Sequence, residues 1–275
     1  MGSVARPVRV AILECDTPLP KTQARFGGYG GVFQALLRSG AEQLGRPDPE
    51  HGFSFSTHQI ETDPDSYPPL DEVDAILLTG SNIPWINKLV EYTKRALDSG
   101  RVKVIGVCFG HQVVGRALGA KVGRNEAWEA SVTDVQLTPK GKELLGLDRL
   151  ARTPTPSHFF FLFPFHIFES FHLTKIKLEQ AIHQMHRDIV FYSPEGVEVL
   201  GSSPACKVQG MYAPGRLFTV QGHPEFSQEI SCEILSSRHD VGVFDDEAYE
   251  EYTERASLPH DGLQISQAFI KFLLD

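Results

Sequence analysis

The residues best placed to do chemistry are a cysteine between two glycines and a distant histidine and glutamate. The apolar run Val102 to Ile105 leads straight into Gly106-Val107-Cys108-Phe109-Gly110-His111-Gln112. A strand that turns into a helix at such a cysteine lifts the thiol out of the sheet edge, and Gly106 and Gly110 leave room for the turn. A helix expected from Phe109 to Leu118 aims its unpaired N–H groups at the sulfur and favours the thiolate. Far downstream, Gly222-His223-Pro224-Glu225 follows a second apolar run. This set suits attack on a carboxamide. Cys108 supplies the thiolate, and His223 takes its proton and later gives it to the departing nitrogen. Glu225 holds the imidazole in one tautomer, and Pro224 stiffens the spacing between them. Plainer readings exist, since a lone cysteine after a strand is usually a small buried hydrophobe and a glutamate favours a helix's first turn. The two glycines, Gln112 and the later His-Pro-Glu together favour catalysis.

The elements that must position these groups alternate along the chain. Val8 to Leu13 reads as a buried parallel strand ending in Glu14-Cys15-Asp16. Gly27-Gly28-Tyr29-Gly30-Gly31 opens a helical pattern through Leu37. No Gly-Lys-Ser/Thr follows these glycines and GxGxxG is absent, so they read as a loop beside the site rather than a phosphate cradle. Phe53 to Ile60 and Val73 to Leu78 read as strands, and Trp85 to Leu97 as an amphipathic helix. The order predicts a doubly wound α/β sheet with the site at the strand carboxyl ends. Beyond the cysteine, strands are expected over Val132 to Leu137, Gly196 to Leu200, Lys207 to Met211 and Leu217 to Gln221, the last two joined by a turn at Ala213-Pro214-Gly215-Arg216. Helices are expected over Ser227 to Ser237, Asp245 to Glu254 and Leu263 to Leu274. With no linker or composition break, residues 1–275 read as one domain.

At 275 residues, 41% hydrophobic and 22% charged, the chain has the composition of a soluble globular protein. A net charge of -9 argues against nonspecific binding to nucleic acid or an anionic membrane, both of which need a basic face. Arg6 and Arg9 flank a strand-like segment, so no signal peptide is expected, and Arg6 stands where a myristoylation signal wants Ser or Thr. The four cysteines are scattered without metal-like spacing, which points to a reducing, cytoplasmic compartment. His183 and His186 lie three apart in a strand-like stretch and would face opposite sides, so no metal is expected there. His111 reads as a helix-surface residue or one lying behind the site rather than the base.

These motifs resemble the class I glutamine amidotransferases, the triad family. The elbow, Gly-His-Pro-Glu-Phe, Leu77-Leu78-Thr79-Gly80-Ser81 and, more weakly, Gln184-Met185-His186-Arg187-Asp188 carry the resemblance, over roughly Val8 to Phe226. The flavour is that of stand-alone, GMP-synthase-like members, among which are γ-glutamyl peptidases. The resemblance implies a flavodoxin-like, doubly wound, mostly parallel sheet with added antiparallel strands and C-terminal helices. It implies an oxyanion hole from the backbone N–H groups of Gly80 and Phe109, substrate contacts at Gln112, Met185, His186 and Asp188, and no cofactor. The substrate would be a γ-glutamyl amide, glutamine or glutathione-like, opened through a γ-glutamyl thioester. No synthetase or P-loop region accompanies the motifs, so an ammonia-using synthase partner would be a separate chain.

Two stretches depart from the family. Residues 151–177 crowd Phe159, Phe160, Phe161, Phe163, Phe165, Phe168 and Phe171 with Pro154, Pro156 and Pro164, at neither helix nor strand period. Removing them would join Leu150 to Leu178 and restore the family spacing, so they read as translated intron sequence, against a lid or a docking patch. After Ser81, only Asn82 and Ile83 precede Pro84-Trp85, where similar members carry a longer loop. That loop helps form the oxyanion hole. The rival from another class is a catalytically silent regulatory or scaffold protein on the same fold.

Overall fold

A computed structural model describes residues 6–45, 52–63, 65–80, 86–146 and 179–275. The strands are β1 (Val8–Glu14), β2 (Phe53–Gln59), β3 (Ala75–Leu78), β4 (Lys103–Val107), β5 (Val122–Leu137), β6 (Glu179–Val190), β7 (Glu198–Ser202), β8 (Gly210–Ala213) and β9 (Leu217–Val220). The helices are α1 (Pro20–Phe26), α2 (Tyr29–Gln43), α3 (Ile86–Asp98), α4 (Phe109–Ala117), α5 (Pro139–Leu145), α6 (Gln228–Asp240), α7 (Asp246–Arg255) and α8 (Gly262–Leu274). The strands form one sheet in the order β2-β1-β3-β4-β9-β8-β7-β5-β6. From β2 to β9 all neighbours are parallel, and from β9 to β6 all are antiparallel.

The parallel half follows from residue type. β3 is wholly apolar and fully buried, and β1 is buried from Val10 onward, as strands covered by helices on both faces must be. β2 leaves Ser54, Ser56, Thr57 and Gln59 exposed and accordingly sits at the edge. One core packs Phe33 and Leu37 of α2 and Phe269 and Phe272 of α8 against Ile12, Leu77, Ile105 and Phe218. The other packs Leu89 of α3 and Val113 and Val114 of α4 against Leu13, Ile76 and Val104. Strand order reverses at the β1/β3 boundary, the crevice where ligands of open α/β sheets bind. Asp16, Gly80, Cys108 and His223 all leave strands at that end.

Several expectations need adjustment. β5 begins ten residues before Val132, because Gly123 to Glu126 is polar and partly exposed and carries no apolar period, and a bulge between Arg124 and Glu129 bends it. The strand expected over Lys207 to Met211 pairs only from Gly210, with the Gln209 side chain turned inward onto Glu129. The short helices α1 and α5 were not anticipated; both start at a proline, and α5 is capped by Thr138. His111 is not on the helix surface. It is fully buried and its Nδ1 lies 2.8 Å from Thr219 Oγ1, because this face of α4 is turned onto the sheet. The phenylalanine-rich segment 151–177 and the stretch from Ser81 to Trp85 lie outside the described residues.

Burial lowers His111 and His183 to about 3, so both stay neutral in the native protein. Nearby His186 adds to the shift of His111, and His260 and His223 add to that of His183. Both groups protonate near pH 6.5 when unfolded, so the unfolded chain binds more protons below that pH. Their contribution to stability is full above pH 6.5 and is lost as pH falls from 6.5 toward 3. Each contributes a slope of up to about 1.4 kcal/mol per pH unit. Thermal midpoints are expected to fall steadily from pH 7 to pH 5, and His111→Gln is expected to flatten that fall. Equal slopes for the two proteins would contradict this assignment.

Candidate active site

The turn after β4 places Cys108 at φ 52° and ψ -102°, one of two non-glycine residues with positive φ among those described. Such backbone costs about 1–3 kcal/mol and persists only where its surroundings enforce it. Here Cys108 N–H donates to the Val220 carbonyl at 2.9 Å, and the Cys108 carbonyl accepts from Gln112 N–H at 3.1 Å. The glycines serve close approach rather than the left-handed turn, which the cysteine itself makes. A Cβ on Gly106 would lie 2.7 Å from the Gly110 backbone, and one on Gly110 would lie 2.4 Å from the Leu78 carbonyl oxygen. Gly110→Ala is therefore expected to destabilise the fold by about 1–3 kcal/mol, read as a lowered denaturation midpoint. A midpoint unchanged from wild type would show that the elbow can relax.

β9 brings the second half of the site alongside. His223 N–H donates to the His183 carbonyl at 2.7 Å, which pins the histidine backbone to β6. His223 Nδ1 lies 2.8 Å from Glu225 Oε1, and the ring stacks on Phe226 at 4.0 Å. Cys108, His223 and Glu225 are all buried, at 7%, 5% and 7% exposure, so their charges act through little water. Burial alone would lower His223. The charges of Cys108 and Glu225, with hydrogen bonds to both, outweigh it and raise the imidazole to about 10. Glu225 does not cap the following helix; Ser227 does, accepting from Ile230 N–H.

The remaining expected residues converge on the same cleft, of about 490 Å³. Gly80, Cys108, Phe109, Gln112 and His223 line it, with Met185, His186 and Asp188 from β6. Gly80 sits beside His223, since a Cβ on it would lie 3.3 Å from His223 Cε1. Phe109 N–H belongs to the first turn of α4, whose donors have no intrahelical partner. Gln112 reaches across to the Asp188 carbonyl, donating at 2.7 Å. His186 is committed internally, with Nδ1 3.2 Å from the Asp188 carbonyl and Nε2 3.1 Å from Glu129 Oε2. The Asp188 carboxylate accepts from Arg124 Nε at 2.5 Å.

The cleft also has a polar mouth that motif reading missed. Asp16, Tyr29, Arg124, Trp128, Arg187 and Arg238 line it. Burial raises the Asp16 carboxyl to about 6, against the Thr17 N–H bond, with Glu61 adding to the rise and Arg238 opposing it. Arg238 lies over the Trp128 ring at 5.6 Å. The loop bearing Asp16 is held by Glu233 of α6, whose carboxylate accepts from Lys21 and Thr22 N–H at 2.7 and 3.0 Å, closing the N-terminus of α1. The position of Asp16 after β1 and the glycine stretch around Tyr29 hinted at this in the sequence; Trp128 and the arginines come from three separate elements, β5, β6 and α6.

The glycine-rich first turn of α2 holds an internal carboxylate. Gly30 N–H donates to Glu14 Oε1 at 2.5 Å, and Gln59 donates to Glu14 Oε2 at 2.7 Å, so the helix N-terminus already has its anion. His183 and His186 point apart, His183 to Ser231 Oγ at 2.8 Å and His186 to Glu129. Among the described residues no cluster of three or more metal-ligating side chains forms, and no helix is long and apolar enough to cross a membrane.

A flavodoxin-like sheet with a cysteine elbow and a histidine–glutamate pair at its carboxyl edge defines the general class. The chain belongs to the glutamine amidotransferase class-I family, whose model matches residues 49–237. It is 31% identical to a glutamine amidotransferase-like protein of Schizosaccharomyces pombe, over 97% of this chain and 98% of that one. It is 28% identical to γ-glutamyl peptidase 3 of Arabidopsis thaliana, over 80% of this chain and 77% of the relative. The crystal structure of a glutamine amidotransferase from Thermotoga maritima superposes with a TM-score of 0.63 at 16% identity, covering 98% of this chain and all of that one, a likeness of fold.

Proposed function

We propose that the chain is a cysteine hydrolase that opens γ-glutamyl amides of peptides, as a stand-alone γ-glutamyl peptidase. The observation that carries this is the buried Cys108–His223–Glu225 arrangement opening onto a cleft of about 490 Å³. The Cys108 thiolate attacks the γ-carbonyl carbon, and the oxygen takes the negative charge opposite the Gly80 and Phe109 N–H groups. His223 gives its proton to the amide nitrogen, the C–N bond breaks, and the glutamyl group remains as a thioester on Sγ. Neutral His223 then takes a proton from water, the hydroxide attacks the thioester, and glutamate leaves as the thiolate re-forms. Glu225 keeps the ring oriented and stabilises the imidazolium in both halves. Gln112 and the Met185–Asp188 edge of β6 hold the glutamyl group.

The volume favours a peptide over glutamine alone. A cleft of about 490 Å³ lies within the range of about 300–1,000 Å³ typical of sites for drug-sized ligands. The Arabidopsis relative, a γ-glutamyl peptidase by name, supports the same substrate class. The test is glutamate release by the purified full chain from glutathione, an S-conjugate of glutathione and free glutamine in parallel. Release from the tripeptides well above that from glutamine is expected. Release from glutamine alone would replace the peptidase with an amidotransferase subunit that serves a separate synthase.

A further inference from the structure

Beneath the cleft, one side chain touches the sulfur from within the fold. Gln221 follows β9, is fully buried, and places its amide nitrogen 3.6 Å from Cys108 Sγ. Its backbone N–H donates to the Gln209 carbonyl at 2.9 Å, so the main chain beneath it is fixed. A buried amide that found no partner would cost free energy, so its contacts determine which way it can point.

The direction of that amide is set by an acceptor that cannot be reversed. The Asp188 carbonyl can only accept, so Gln112 presents its nitrogen there at 2.7 Å. The same nitrogen lies 3.4 Å from Gln221 Oε1, which uses its second hydrogen. With its oxygen so engaged, Gln221 turns its own nitrogen to the sulfur. Flipping Gln221 would set two donors against each other at Gln112 and place an oxygen lone pair against a thiolate. The donors therefore run outward from Gln112 Nε2, to the β6 backbone on one side and through Gln221 to the sulfur on the other.

We propose that Gln221 is a catalytic residue acting on the thiol: its amide donates to Cys108 Sγ, stabilises the thiolate and holds the sulfur facing the cleft, with Gln112 orienting the amide. The inference rests on the reading of Cys108 as the nucleophile. Donation to an anionic acceptor is among the stronger hydrogen bonds, though sulfur at this distance makes a weaker one than oxygen would. His223 supplies the opposing charge, backed by Glu225. Tyr29 and Cys206 also interact with the sulfur; both are raised mainly by burial, so neither competes for charge near neutral pH. The chain also ties the strand edge expected to hold the glutamyl group to the nucleophile.

The experiment compares full-length wild type with Gln221→Met, which keeps the length and removes the donor, and Gln221→Glu, which replaces the donor with an acceptor. Two readouts need no substrate: thiolate absorbance near 240 nm, referenced to Cys108→Ser, and the rate of Cys108 alkylation by iodoacetamide, located by peptide mass. Cys15 and Cys206 are buried and raised to about 12, so they stay silent. Gln221→Met is expected to alkylate about fivefold more slowly at pH 7, which corresponds to about 1 kcal/mol. Gln221→Glu is expected to lose more than about tenfold, since a carboxylate opposes the thiolate. In glutamate release, kcat should fall with KM little changed, which a loss of packing alone would not produce. Wild-type rates in both folded variants would overturn the proposal. If the variants do not fold, amide NMR of the wild type decides. The Gln221 side-chain resonance must move with thiol ionisation and be insensitive to pH in Cys108→Ser, and a resonance that ignores the thiol overturns the proposal. Absence of any Cys108 thiolate signal in wild type would instead defeat the underlying reading of the nucleophile.

Discussion

Cys108→Ala is expected to release glutamate at least about 10⁴-fold more slowly than the wild type from every γ-glutamyl substrate, because without the sulfur no thioester forms. The substitution removes one atom from a residue 7% exposed and leaves the positive φ to a side chain that tolerates it no worse than cysteine. The fold should therefore survive, with circular dichroism and thermal midpoint close to wild type. Ground-state binding should survive too, since Gln112, Gly80 and the β6 edge are untouched. Calorimetric binding of an intact γ-glutamyl peptide to Cys108→Ala, without turnover, is the check. Turnover within tenfold of wild type would place the nucleophile elsewhere. A wild type that is itself inactive while folded would favour a silent scaffold on the same sheet.

The second large effect is expected at Glu225. Glu225→Gln keeps the volume and the Phe226 stacking but removes the charge that lies 2.8 Å from His223 Nδ1. A loss of about 10²–10⁴ in kcat is expected, by analogy with removal of the charge from the third member of a serine triad. The pH profile should change in a definite direction. In the wild type the imidazole is held near 10, against the opposing effect of burial, by the charges of Cys108 and Glu225. The imidazolium half of the ion pair is therefore retained through neutral pH and lost as pH rises toward 10. Without the carboxylate part of that support is lost while the burial penalty stays. The alkaline limb of kcat/KM should move to lower pH. A profile unchanged in its alkaline limb would show that Glu225 does not govern the protonation of His223.

How much of this could be read from the chain alone depended on whether a signal was local. The elbow was legible because strand, glycine, cysteine and helix are contiguous, and the two outer members of the pair, His223 and Glu225, lie within one turn of each other. The central strands β1, β3 and β4 were legible because burial on both faces removes the need for alternation. The first half of β5 was not, since its residues are polar and its partner β6 is recruited from beyond residue 178. The burial of His111 was equally invisible, because it depends on the face of α4 that the β9 residue Thr219 covers. The arginine-lined mouth draws on β5, β6 and α6, and no spacing in the sequence joins Arg124 to Arg238. Gln221 sits one residue before the Gly-His-Pro-Glu run, yet its role emerges only from contacts with Cys108 and Gln112.

The most direct measurement is acid-quenched mass spectrometry of the full-length protein mixed with excess glutathione, followed by peptide mapping. A γ-glutamyl adduct should appear on the Cys108 peptide within the first turnover, be discharged by hydroxylamine as a thioester must be, and be absent from Cys108→Ala. Glutamate release without any adduct on Cys108, or an adduct on Cys15, Cys206 or Cys232 instead, would contradict the account.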